Sequence, residues 1–168
     1  MIWANLLAIP VLVILTMLQV GIVSRLPMLQ GTADLLLLAV IAWTLQKRVR
    51  NGWFWGAVAG ALIGIASAIP PVISLISYLL VVALVQFFKR QSWQAPLLVM
   101  LLLTLLSTIL QHGITLATLM VSGTSLPILD SLSLVTLPSI LLNMLLAVPF
   151  YVVMTDMANW LFPEEIEG

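Results

Sequence analysis

Charged side chains make up only 7% of this chain. A water-soluble domain of comparable size carries about 25%. Hydrophobic residues account for 62% of the positions, and the mean hydropathy is +1.22. A chain so poor in charge has too few solvated groups to cover its outside, so its folded surface is expected to face hydrocarbon. In that solvent every backbone N–H and C=O needs a partner within the protein. For long apolar runs this predicts helices.

A bilayer crossing takes about 20 apolar residues. Runs of roughly that length lie at about 3–23, 29–46, 53–69, 72–88, 96–121 and 138–160. The sequence therefore predicts an all-α, polytopic membrane protein with six transmembrane helices in a single integral membrane domain, 1–168. The first run follows Met1-Ile2-Trp3-Ala4-Asn5, which carries no basic residue, and it reads as a retained span rather than a cleaved signal. Pro10 predicts a kink there. Gly31, Thr32 and Asp34 interrupt the start of the second run. Pro70-Pro71 stops the third, because a residue before proline is pushed out of the α region. Pro96 opens the fifth at a position where its missing N–H costs nothing. Residues 122–131 read as a loop. The following stretch, 132–162, is too long for one crossing, and Pro138 is expected to divide a short surface turn from the true span. Trp160 would then sit in the interfacial aromatic belt.

The basic residues set an orientation. Lys47, Arg48 and Arg50 follow the second run, and Lys89 and Arg90 follow the fourth, whereas Arg25 alone follows the first. The positive-inside rule then places both termini in the cytoplasm. The acidic run Glu164-Glu165-Ile166-Glu167 lies on the same side.

Several polar or small residues stand out against the apolar background. Gly56, Gly60, Gly64 and Ala68 recur every four residues on the third span, a spacing that lets another helix approach closely. Such a seam serves either packing within the chain or a second protein. Ala4 and Ala8 repeat the spacing weakly on the first span. The fifth span carries Thr104, Thr108, Gln111, Thr115, Thr118 and Ser122 along one face. Facing lipid, Gln111 would leave its amide unsatisfied at a cost of several kcal/mol. The face therefore looks inward, where its hydroxyls bond upstream carbonyls or where a ligand or partner helix is received. His112 reads as a neutral, hydrogen-bonded side chain or as a protonatable switch. Asp34 reads as a helix N-cap at the outer interface or as an ion or proton site. Asn143, with Thr136 and Ser139 on a similar face, reads as inward packing. It is also placed to serve the carbonyl that Pro149 frees.

The chain has no Cys, which removes disulfides, thiolate metal sites and a Cys nucleophile. No Ser-His-Asp set, no paired carboxylates at helical spacing, no P-loop and no metal-ligand cluster is read in the sequence. No cofactor or metal is expected, nucleic acid is not a predicted partner, and the chain reads as non-catalytic.

Three segments carry a likeness to a known family. They are Ala33-Asp34-Leu35-Leu36-Leu37-Leu38, Ser77-Tyr78-Leu79-Leu80-Val81 leading to Lys89-Arg90, and Asn143-Met144-Leu145-Leu146-Ala147-Val148-Pro149-Phe150-Tyr151. With the Gly-rich third span and the six-span layout, the chain resembles the rod-shape-determining MreD family. It departs from that family in having Ala33 where a proline is usual, and Gly64-Ile65-Ala66-Ser67-Ala68 where an acidic residue is common. The resemblance implies a membrane scaffold of cell-wall elongation that binds MreC, a one-span protein. The scaffold links MreB to the RodA glycosyltransferase and a penicillin-binding transpeptidase. The implied fold is similar to the substrate-binding subunits of ECF vitamin transporters. Such a vitamin-binding subunit is the alternative reading of function.

Overall fold

The computed structural model describes residues 2–21, 31–91, 95–124 and 127–163. They form α1 (Ile2–Gly21), α2 (Leu35–Leu45), α3 (Gly52–Ala66), α4 (Pro71–Lys89), α5 (Pro96–Val121), α6 (Ile128–Ser131) and α7 (Leu137–Leu161), and among them there is no strand. A π-helical turn, Leu132–Thr136, joins α6 to α7. Three helical stretches are long and apolar enough to cross a membrane: α4, α5 and the continuous run Ile128–Leu161. Asn5–Gly21, α2 and α3 are shorter apolar helices.

The outside of the bundle is oily. Ile65, Leu98, Leu141, Leu145 and Trp160 are each at least 66% exposed. The inside is mixed. On α7 the buried positions are Ser139, Asn143, Ala147, Met154 and Ala158, whereas Leu141, Leu145, Val152 and Val153 face out. This inverted pattern is what a lipid-facing helix requires, since its polar groups find partners only toward the protein.

Helix α2 is the core. Every residue from Leu35 to Thr44 is buried, so its neighbours enclose it on all sides. At its C-terminal end, Trp43 stacks on Trp55 of α3 with ring centroids 4.6 Å apart. The Trp43 indole donates to Asn51 Oδ1 at 3.0 Å, and Asn51 donates to Asn5 of α1 at 2.6 Å. Lys89, the last residue of α4, donates to the carbonyls of Thr44, Gln46 and Val49 at 2.9, 2.5 and 2.7 Å. A cation there serves the Thr44 carbonyl in the last turn of α2 and two carbonyls of the connection that follows. These contacts, with Arg48 donating to the Phe162 carbonyl, gather the basic loops, the start of α1 and the end of α7 at one end of the bundle.

The glycine seam is occupied from within. A Cβ on Gly56 would lie 2.5 Å from Val82 Cγ2, one on Gly60 would lie 2.8 Å from Leu75 Cα, and one on Gly64 would lie 2.7 Å from Pro71 Cα. Helices α3 and α4 therefore form an antiparallel pair whose backbones meet at these glycines. Ala68 is not part of the seam. Helix α3 stops at Ala66 because Pro70 and Pro71 follow, and Ala68 lies exposed in the connection.

Other expectations change in detail. Helix α1 continues through Pro10. The second run is helical only from Leu35, and its first residues, up to Gln30, lie outside the described part. Part of the expected loop at 122–131 is helix, since α6 starts at Ile128 behind Pro127. Pro138 does not divide the last segment. Its ring would crowd the carbonyl of Leu134, four residues back. That carbonyl lies in the π turn, whose wider winding accommodates the missing hydrogen bond.

Candidate functional site

Residues 31–34 are not helical, yet they pack between α7 and α1, with Gly31 and Ala33 buried, Asp34 half-buried and Thr32 exposed. The chain approaches α7 at Gly31, where a Cβ would lie 2.5 Å from Pro138 Cβ and 2.7 Å from the Ser139 nitrogen. Only glycine permits that approach. Thr32 N–H then donates to Ser139 Oγ at 3.1 Å, and Asp34 N–H donates to Asn143 Oδ1 at 2.7 Å. The two repeats match. Alternate residues of an extended chain are about 6.6 Å apart, and residues four apart on a helix rise about 6 Å.

The opposite edge of the segment is bound by one side chain. Gln19 of α1 donates through Nε2 to the Ala33 carbonyl at 2.7 Å and accepts at Oε1 from Leu35 N–H at 2.8 Å. Its amide thus pairs with the segment as a neighbouring strand would. Between them, Ser139, Asn143 and Gln19 supply hydrogen bonds that irregular backbone needs when it is shielded from water.

Asp34 ends the segment and caps α2, with Oδ1 accepting from Leu37 N–H at 2.9 Å. The cap was expected from sequence. Its second partner was not: the Tyr78 hydroxyl of α4 lies 2.9 Å from both carboxylate oxygens. Asp34 is therefore a junction between helices as well as a cap at a helix start. From Leu45, at the basic end, α2 climbs roughly 16 Å to this point, about half the thickness of a hydrocarbon core.

The polar stripe on α5 faces the same junction in its upper half. Thr104, Ser107 and Thr108 are buried. Asn143 Nδ2 donates to Thr108 Oγ1 at 3.0 Å, and that hydroxyl donates to the Thr104 carbonyl at 2.7 Å. Asn143 is thus committed to Asp34 and Thr108, and the expected service to the carbonyl freed by Pro149 does not occur. Gln111 Oε1 accepts from Ser77 at 3.0 Å. His112 Nδ1 lies 3.2 Å from the hydroxyl of Thr136, in the π turn. Thr118 and Ser122 bond upstream carbonyls at 2.7 and 2.9 Å, so this end of the stripe is locally satisfied.

A cavity of about 340 Å³ opens beside the junction, at the end away from the basic loops. Gln19, Asp34, Tyr78, Gln111, His112 and Thr115 are among its lining residues. Three buried polar atoms of α5, Thr104 Oγ1, Ser107 Oγ and Gln111 Nε2, have no protein partner. The arrangement offers a carboxylate held by two donors, a spare amide donor and an imidazole around a space large enough for a small molecule. Among the described residues no group of three or more His, Cys, Asp or Glu is assembled to hold a metal.

The sequence reading had singled out Asp34, Thr104, Thr108, Gln111, Thr115 and Asn143, and these gather here. Thr118 lies beyond the cavity lining, and Gly56, Gly60 and Gly64 serve the α3–α4 contact. Tyr78, Gln19 and Ser77 were missed as site residues. Each is a polar group set in a mostly apolar helix, which is the signal the sequence offers.

No family model, no curated protein and no solved structure matches the chain. The fold and the junction define an all-helical, membrane-type bundle with a polar centre.

Proposed function

We propose that this chain is a non-catalytic scaffold similar to MreD. In this reading it crosses a bacterial inner membrane six times, with both termini and the basic loops in the cytoplasm. Helix α2 and the extended segment before it together make the second crossing. The observation that carries the reading is the meeting of three separated segments. Those holding Asp34, Tyr78 and Asn143, which bear the resemblance, converge on one residue: Tyr78 bonds the Asp34 carboxylate oxygens and Asn143 bonds its backbone N–H. Residues that hold a buried junction together are the ones a family sharing this fold would retain.

The chemistry of Asp34 fits a structural role. Both carboxylate oxygens face the Tyr78 hydroxyl, and Oδ1 also binds the Leu37 amide. The partners are an MreC-like one-span protein and, through it, RodA, the penicillin-binding transpeptidase and MreB. The glycine seam is filled by α4, so the docking surface for the one-span partner lies elsewhere on the lipid-facing exterior. Affinity purification of the tagged chain from its native membrane in mild detergent, followed by mass spectrometry, tests the reading. Stoichiometric recovery of a one-span protein with a coiled coil and an extracellular domain is expected. Its absence from an intact preparation overturns the scaffold.

The cavity at the end away from the basic loops favours a second reading, a substrate-binding subunit of an ECF-type vitamin transporter. Its 340 Å³ volume and the unpartnered Gln111 Nε2 are what such a site would need. Recovery of paired ATPases with a coupling membrane subunit in the same experiment selects this alternative.

A further inference from the structure

A second cavity lies at the basic end. It measures about 590 Å³ and is bounded by the α2–α3 connection, the end of α4, the start of α5 and the last turns of α7. Lys47, Arg48, Lys89 and Arg90 line it, with Gln46, Gln91, Tyr151 and Asn159 among the other polar groups, and no carboxylate is in the lining among the described residues. Two of the cations are fixed by the fold. Lys89 is bound to three backbone carbonyls, and Arg48 reaches the Phe162 carbonyl. Lys47 and Arg90 are exposed at the rim.

The cavity sits at the level where a membrane meets water. Trp160, at the end of α7, is 75% exposed, and Trp53, at the start of α3, is 46% exposed, both at this end of the bundle. Tryptophans so placed mark the headgroup layer. Just inside that level the outer surface turns apolar, with Phe87 of α4 63% exposed and Leu98 of α5 66% exposed. A basic recess between helices at headgroup depth, with apolar side chains below it, matches the two parts of an anionic lipid.

We propose that this recess binds the phosphate headgroup of an anionic glycerophospholipid. The phosphate lies among Lys47, Arg48, Lys89 and Arg90, and the acyl chains run down past Phe87 and Leu98. The lipid would place its negative charge beside Lys47 and Arg90 at the rim, and it would tie the ends of α4, α5 and α7 together. The inference does not depend on the scaffold reading.

The test uses the purified full chain in neutral detergent, titrated with dioleoyl phosphatidylglycerol, dioleoyl phosphatidylcholine or inorganic phosphate and read by native mass spectrometry. Phosphatidylglycerol is expected to bind as a single copy and more tightly than phosphatidylcholine, and millimolar inorganic phosphate is expected not to displace it. Each rim cation contributes about fivefold in affinity, so Arg90→Ala weakens binding about fivefold and Lys47→Ala/Arg90→Ala about 25-fold. Both side chains are exposed, so the fold stays intact. Arg50→Ala removes the same charge at an exposed position outside the recess and leaves binding unchanged. Equal binding of the two lipids, or equal loss in Arg50→Ala and Arg90→Ala, overturns the site. Displacement by inorganic phosphate alone reassigns the recess to free phosphate and overturns the lipid.

Discussion

The Tyr78 hydroxyl stands 2.9 Å from each oxygen of the Asp34 carboxylate, joining residues 44 positions apart on α4 and at the start of α2. The tyrosine is 1% exposed, and its hydroxyl is spent on this one carboxylate. Tyr78→Phe keeps the ring and removes the donor. Destabilisation of about 1–2 kcal/mol is expected, read by equilibrium unfolding in mixed detergent. The double variant with Asp34→Asn should lose less than the sum of the single losses, because the two groups share one interaction.

Gln19 provides a local test. Gln19→Leu leaves the Ala33 carbonyl and the Leu35 N–H without the partners they have now. Hydrogen exchange by mass spectrometry should show faster uptake in peptides covering 31–38 than in the parent, with α5 little changed. Equal protection in both proteins would remove Gln19 from the account.

Asn143 holds two elements at once, so its loss is expected to be larger. Asn143→Leu orphans the Asp34 N–H and withdraws the amide that donates to Thr108. A cost of about 2 kcal/mol or more is expected in the same unfolding assay. Asn143→Asp keeps the acceptor for Asp34 N–H but sets a second carboxylate near Asp34, and it should not rescue stability.

Glycines on two helices should respond in opposite directions. Gly60→Ala pushes a methyl to 2.8 Å from the Leu75 Cα, a backbone atom that has no rotamer to change. It should cost about 1–3 kcal/mol. Gly113→Ala meets nothing within 4 Å on α5 and should be neutral or stabilising by about 0.5–1 kcal/mol. Melting temperatures of the two variants, measured side by side, decide the matter.

Lys89→Met keeps the length of the side chain and removes its charge. The carbonyls of Thr44, Gln46 and Val49 then lose a shared donor. We expect a loss of about 1–3 kcal/mol, with faster exchange at the end of α2.

Much of this architecture was written locally. Gly31-Thr32-Ala33-Asp34-Leu35 announces a helix start with its cap, and the four-residue glycine spacing announces a close helix contact; both occur. The inward face of α5 followed from the cost of placing Gln111 in lipid. The pairing of Asp34 with Tyr78 was not legible, because spacing along a chain carries no distance between different helices. The interruption before α2 looked like a weak helix start. Its role as an extended segment bound from two sides depends on Gln19 and Asn143, which lie on the first and last helices. Pro138 was misleading for a different reason. A proline signals a break in a regular α-helix, and a π turn sits where the break was expected.

The extended segment also bears on how the molecule is made. Its hydrogen-bond partners on α7 are 107 and 109 residues further along the chain. While the chain is still being made, the Thr32 and Asp34 amides therefore have no permanent acceptors, and only Gln19 is already present. Completion of α7 becomes the step that locks the segment before α2, and a nascent chain released before Asn143 is synthesised would leave the Thr32 and Asp34 amides without these acceptors.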